Sequence, residues 1–156
     1  MHLRAAEGWL ELGNFVEASA ELKKIPPRLR RHTEVLEVQW QLAGRTGQWE
    51  ECLNLSKAII KRAPNRASGW INFSFALHEL KRTQEAWDSL FAVVEKFPLQ
   101  PTIAYNLACY AAQLGRSWEA EQWLRQAFKV GEPKVLKMMA LADPDLKPLW
   151  TKIADF

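Results

Sequence analysis

Apolar positions in this chain recur at helical spacing, in segments that come in pairs. Trp70, Phe73, Leu77 and Leu80 fall at i, i+3, i+7 and i+10. Ala86, Leu90, Val93 and Val94 fall at i, i+4, i+7 and i+8. Either spacing gathers its residues on one face of an α-helix and leaves polar residues on the other. The few residues between the two runs predict a tight turn and an antiparallel helix pair.

The pair repeats. Gly13-Asn14-Phe15-Val16-Glu17-Ala18, Gly47-Gln48-Trp49-Glu50-Glu51-Cys52, Lys81-Arg82-Thr83-Gln84-Glu85-Ala86 and Gly115-Arg116-Ser117-Trp118-Glu119-Ala120 align with one another. Their last residues, Ala18, Cys52, Ala86 and Ala120, are each 34 positions apart. Glycine at the head of three segments suits a helix end, where the backbone turns left-handed. Lys81 replaces it in the third, which predicts a turn that is strained or closed differently. Glu near the start of each second helix favours the positive end of its dipole. The small residue after it lets two helices approach closely. Pro64 and Pro98, also 34 apart, stop the second helices of units two and three. One such pair cannot bury its apolar face alone, so neighbours must stack. The period predicts one all-α domain over residues 1–156, with repeats at about 1–32, 33–66, 67–100 and 101–132. Residues 133–156 form a C-terminal cap.

Three places break the pattern. Trp40 stands where the repeat family that this chain resembles has a small residue, which predicts looser or shifted packing. Pro26-Pro27 ends the second helix of the first unit early, and the first helix begins close to Met1, where fraying is expected. After Pro133 the period stops: Val135, Leu136 and Met139 predict a short amphipathic helix. Asp143-Pro144 then reads as an N-cap followed by a first-turn proline, with Leu146, Leu149 and Trp150 turned inward.

These residues resemble the tetratricopeptide repeat proteins, of the small bacterial type, over residues 1 to about 133. The third unit carries the resemblance in Trp70, Phe73, Ser74, Ala86, Val93 and Pro98. The fourth carries it in Tyr105-Asn106-Leu107-Ala108, Gly115, Ala120 and Ala127. The resemblance implies a right-handed solenoid whose first helices line a concave groove that holds an extended peptide or a helix of another protein. In that register the groove is lined by Glu34, Glu37, Val38, Gln41 and Arg45 in the second unit. Ser68, Ile71, Asn72, Phe75, His78 and Glu79 line it in the third, and Thr102, Tyr105, Asn106, Cys109 and Gln113 in the fourth. Asn72 and Asn106 are 34 apart. An amide donates and accepts at once, which suits a peptide group, although Asn is also simply common there. Arg82 and Arg116 are placed to reach the rim. The family's carboxylate clamp needs Lys and Arg where this chain has Glu37, Ile71 and Tyr105, so the resemblance excludes that mode.

Composition narrows the partners. A balance of 21 basic against 18 acidic residues leaves a net charge of +3, which argues against nucleic acid. No apolar run approaches the ~20 residues that span a bilayer, and charge near Met1 argues against a signal peptide. Two cysteines 57 residues apart make no disulfide framework, which points to a reducing, cytoplasmic compartment. The three histidines fall in different units. Cys52 sits at a small core position, and Cys109 on a first helix has no histidine near it in sequence. Asp143 and Asp145 read as caps. Arg28, Arg30, Arg31 and His32 read as a solvated linker or as a docking point for an acidic segment or nucleic acid. No grouping suits catalysis, a metal or a cofactor. The sequence therefore predicts a non-enzymatic protein-interaction module. Trp87, Trp118 and Trp123 on second helices give the alternatives: packing between repeats, or a convex interface that makes the chain a self-associating scaffold or an accessory subunit.

Overall fold

The computed structural model describes residues 1–156. The helices are α1 (His2–Glu11), α2 (Phe15–Lys23), α3 (Thr33–Arg45), α4 (Trp49–Arg62) and α5 (Ala67–Glu79). They continue as α6 (Thr83–Phe91), α7 (Pro101–Gln113), α8 (Ser117–Val130), α9 (Pro133–Ala142) and α10 (Trp150–Ile153). Short 3-10 segments cover Pro27–Leu29, Val94–Lys96 and Pro144–Leu149, and there is no strand. The chain forms two compact units, Met1–Ala76 and Leu77–Phe156.

The turn inside each helix pair has one construction. Gly13, Gly47 and Gly115 adopt φ of 75°, 73° and 77°, and Lys81 adopts 65°. In each turn the next amide reaches back over the helix end: Asn14 to Trp9, Gln48 to Ala43, Arg82 to Leu77 and Arg116 to Ala111, at 2.8–2.9 Å. The Lys81 turn is thus closed like the others and carries the Cβ penalty of a left-handed residue, about 1 kcal/mol. Ala18, Cys52, Ala86 and Ala120, which follow the Glu of each second helix, are all fully buried.

In the first unit, Ala6, Leu10, Ala18, Leu22, Ile25, Val35 and Val38 form a continuous core, with Leu3, Trp9, Phe15 and Leu42 against it. α1 begins at His2, whose imidazole meets Glu21 on α2 at 2.9 Å. Hydrogen bonds from His2 and then Lys24 hold the Glu21 carboxyl below its usual range. α2 stops at Lys23 ahead of the two prolines, as the sequence predicts. Arg30 then donates to the carbonyls of Ile25 at 2.8 Å and Lys23 at 2.7 Å. It therefore supplies partners to the open carbonyls of a helix end and is no free cation, while Arg28, Arg31 and His32 are exposed. Trp40 is accommodated by other aromatics: its ring lies edge-on to Trp49 at 6.4 Å and to Phe75 at 6.2 Å. Gly44 faces both indoles: a Cβ there would stand 3.5 Å from the Trp49 ring and 3.8 Å from the Trp40 ring, in ordinary contact.

In the second unit, α7 is packed by α6, by α8 and by the 3-10 segment Pro144–Leu149. Ile103, Leu107, Ala108, Tyr110 and Ala111 of α7 and Leu124 of α8 are essentially sealed from water. α6 ends at Phe91 and tightens to 3-10 at Val94, earlier than the apolar period predicts; the β-branched Val93-Val94 pair is a poor place to extend a helix. α9 turns Leu136 and Ala140 inward and leaves Val135 and Met139 exposed, which corrects the face predicted for this helix. Asp143 caps the next segment by accepting from the Asp145 amide at 3.0 Å. Beyond it Leu146, Leu149 and Ile153 are buried.

Candidate binding site

On the first unit, α3 and α5 carry the predicted groove residues. Val38 is buried in the core, so it is not a contact residue. Glu37 is fastened: the Ser68 hydroxyl donates to it at 2.9 Å and Arg66 lies 3.5 Å from the same oxygen. Ile71, Asn72 and Phe75 are half-buried. Phe75 closes the aromatic group, edge-on to Trp49 at 5.7 Å. The Asn72 amide makes no hydrogen bond within the chain.

On the second unit, most predicted groove residues already have an occupant, the chain's own residues 143–149. The Tyr105 hydroxyl donates to Asp143 at 2.9 Å, and the Cys109 thiol points at the same oxygen from 3.6 Å. His78 Nε2 meets Asp145 at 2.8 Å. A carboxylate only accepts, so Nε2 carries the proton there; Nδ1 pairs with the Thr83 hydroxyl at 3.0 Å. The Gln113 amide donates to the Asp145 carbonyl at 2.9 Å. Tyr105 and Cys109 are consequently buried rather than open to a partner. Asn106, one helical step away, stays half-buried with its amide unengaged by the chain.

The environment quenches thiol chemistry. Burial, then the charges of Asp143 and Asp145, pushes the Cys109 thiol far up. Burial first, then Cys109 and Asp143, does the same to the Tyr105 phenol. Cys52 is pushed up to about 11, by burial and then by Glu51. Nucleophilic cysteine needs the thiolate, and these surroundings oppose it. Cys109 converges with Asp143 and Asp145, whose ligand atoms lie within 4.8 Å of its own; each is held there by the hydrogen bonds just given.

The predicted rim arginines are already engaged, Arg82 on its own helix and Arg116 on α6. Arg82 grips Glu85 through two nitrogens, at 2.6 and 2.9 Å. Arg116 donates to Gln84 at 2.8 Å and lies over the Trp87 ring, 5.8 Å from its centre. Trp87 is buried and stacks on Phe91 at 5.5 Å, with Trp123 edge-on to both at 6.1 Å. Trp118 is not part of this cluster and is 71% exposed. Sequence reasoning missed one further feature of the first unit, a cleft of about 740 Å³. α2, α3 and α4 line it with Phe15, Val16, Ser19, Leu42, Thr46 and Leu55.

Helix pairs closed by identical left-handed turns, with a fully buried small residue on each second helix, define an all-α fold of the tetratricopeptide type. Solved structures bear this out. TTC0263, described as a thermophilic tetratricopeptide protein of Thermus thermophilus, superimposes with a TM-score of 0.75 at 17% identity, covering 99% of this chain and 98% of its own. A crystal structure of MamA gives 0.71 at 15% identity, over 95% and 89%. MamA MSR-1 C2 gives 0.68 at 17%, over 83% and 74%. At such identities the likeness concerns the fold. No protein-family model and no curated protein matches the sequence. No helix is long and apolar enough to cross a membrane.

Proposed function

We propose that this chain is a non-enzymatic interaction module, working in the cytoplasm as a single binding domain, that holds an extended peptide or helix of a partner protein on its first helices. The observation that carries this reading is the state of Asn72 and Asn106. Both sit in the same repeat register, both are half-buried, and neither amide is used by the chain. A half-buried amide with no partner in the chain suits a peptide backbone. Ile71 and Phe75 supply apolar area beside Asn72. Arg82 and Arg116 are left out of the contact set, because Glu85, Gln84 and Trp87 already hold them.

The test is an Asn72→Ala, Asn106→Ala double variant. Partner capture from a native lysate, read by mass spectrometry, should fall about tenfold, as expected for two lost hydrogen bonds of ~0.5–1.5 kcal/mol each. The melting temperature should stay within a few degrees. Undiminished capture by a folded double variant would remove the reading.

Trp118 supports a second reading, self-association through the second helices. Large exposed tryptophans are enriched at binding hot spots, whereas Trp87 and Trp123 are already packed. Light scattering over a concentration series should show mass growth in the wild type and a monomer for Trp118→Ala. An 18.0 kDa mass at every wild-type concentration would rule it out.

A further inference from the structure

The segment Asp143-Pro144-Asp145-Leu146 lies on the second unit as a ligand would. Its two carboxylates are received by a phenol, a thiol and an imidazole: Tyr105 and Cys109 on Asp143, His78 on Asp145. Gln113 takes the Asp145 backbone carbonyl. Leu146 is fully buried. These are the two elements of short-peptide recognition, polar groups that fix orientation and an apolar anchor that excludes water. The receiving residues all belong to α7 or to the end of α5, the helices whose faces are read above as partner-binding.

We propose that this face is an acceptor for an acidic segment of a partner protein, two carboxylates one residue apart followed by a leucine. Residues 143–146 are a latch that fills it in cis. The inference rests on the reading of the first helices as the binding face, and it names the chemistry of what binds there.

The construction of the latch favours exchange. Its helix is of the 3-10 kind, with Pro144 at its start and Pro148 inside. Neither proline donates a backbone hydrogen bond, and 3-10 geometry is the weaker one. The Asp145 side chain remains 36% exposed, so water reaches this end of the latch while it is still closed. The buried Leu146, Leu149 and Ile153 act the other way and make the closed state the dominant one. A partner's apparent affinity is then its intrinsic affinity reduced by the fraction of open molecules. Weakening the latch should therefore tighten binding in trans.

The probe is a fluorescent peptide with the sequence of residues 141–149, titrated into the full chain and followed by anisotropy. Against wild type, Asp145→Ala with Leu146→Ala should bind it at least about tenfold more tightly. Adding Tyr105→Phe and Gln113→Ala to that variant should abolish the gain. Equal binding to wild type and to the unlatched variant overturns the proposal, as does a gain that survives loss of Tyr105 and Gln113. Hydrogen exchange on the wild type guards against a variant that does not fold. With saturating peptide, amides of residues 145–149 should lose protection while those of α8 keep it; no change there also overturns the latch. If the latch fails while Asn72→Ala, Asn106→Ala still weakens capture, the broader reading of the binding face stands. If the peptide behaves as expected and that double variant captures normally, the acceptor on α7 stands and the asparagine contacts fall.

Discussion

Ala108→Trp is expected to abolish the cooperative fold of residues 77–156. Ala6, Trp40, Ser74 and Ala108 occupy one register, each 34 positions from the next. Ala6, Ser74 and Ala108 are fully buried, and Trp40 is half-buried. Ala108 lies on α7, between Leu107 and Cys109, in the most thoroughly buried helix of the chain. An indole there has no open side to lean toward. Overpacking by a few methylenes already costs about 1–3 kcal/mol, and an indole adds several times that volume. The penalty should reach about 5 kcal/mol, comparable with the whole stability of a domain. Circular dichroism should show a broad melt with its midpoint lowered by well over ten degrees. A sharp transition within a few degrees of wild type would mean that the surroundings of Ala108 can open to admit an indole. The same indole is tolerated at position 40 because Trp49 and Phe75 meet it edge-on.

That contrast shows what the sequence can and cannot reveal. The 34-residue spacing places the helix pairs, the left-handed turns and the four small residues, because each follows from local physics: a helix face, a missing Cβ, a close approach. Trp40 is legible as an anomaly in that period. Its resolution is not, since the neighbours that absorb it lie on α4 and α5. The same limit applies to the site. Asn72 and Asn106 are found by register alone. The occupation of Tyr105 and Cys109 by Asp143 is invisible to the period, because Asp143 lies beyond the last repeat. Asp143 does read correctly as a helix cap. A carboxylate has a second oxygen, however, and no sequence pattern says where that oxygen points. Arg30 is a similar case: a basic run suggests a solvated linker, while the fold uses that side chain to close the end of α2.

Gly69 gives the second large effect, with a sign that depends on geometry rather than propensity. In a helix interior, Gly→Ala normally stabilises by about 0.5–1 kcal/mol, because alanine loses less backbone entropy on folding. Gly8 on α1 should follow that rule, since a Cβ there would meet nothing within 4 Å. Gly69 should reverse it. A Cβ at this position would stand 2.9 Å from Ile60 Cγ1, 3.0 Å from Ile59 Cγ2 and 3.1 Å from the Ile60 backbone nitrogen. The isoleucine side chains can yield a little, but the nitrogen belongs to α4 and cannot move without the helix. Gly69→Ala therefore sets an overpacking cost of about 1–3 kcal/mol against the smaller propensity gain, and should lower stability by about 1 kcal/mol. Gly69→Leu adds three more carbons to the same contact and should lower it by about 3 kcal/mol or more. Urea unfolding of the three variants separates the effects: the midpoint should rise for Gly8→Ala, fall for Gly69→Ala and fall furthest for Gly69→Leu, with slopes unchanged. A rise for Gly69→Ala would show that α4 and α5 are free to separate, and that glycine there reflects no close approach of the two helices.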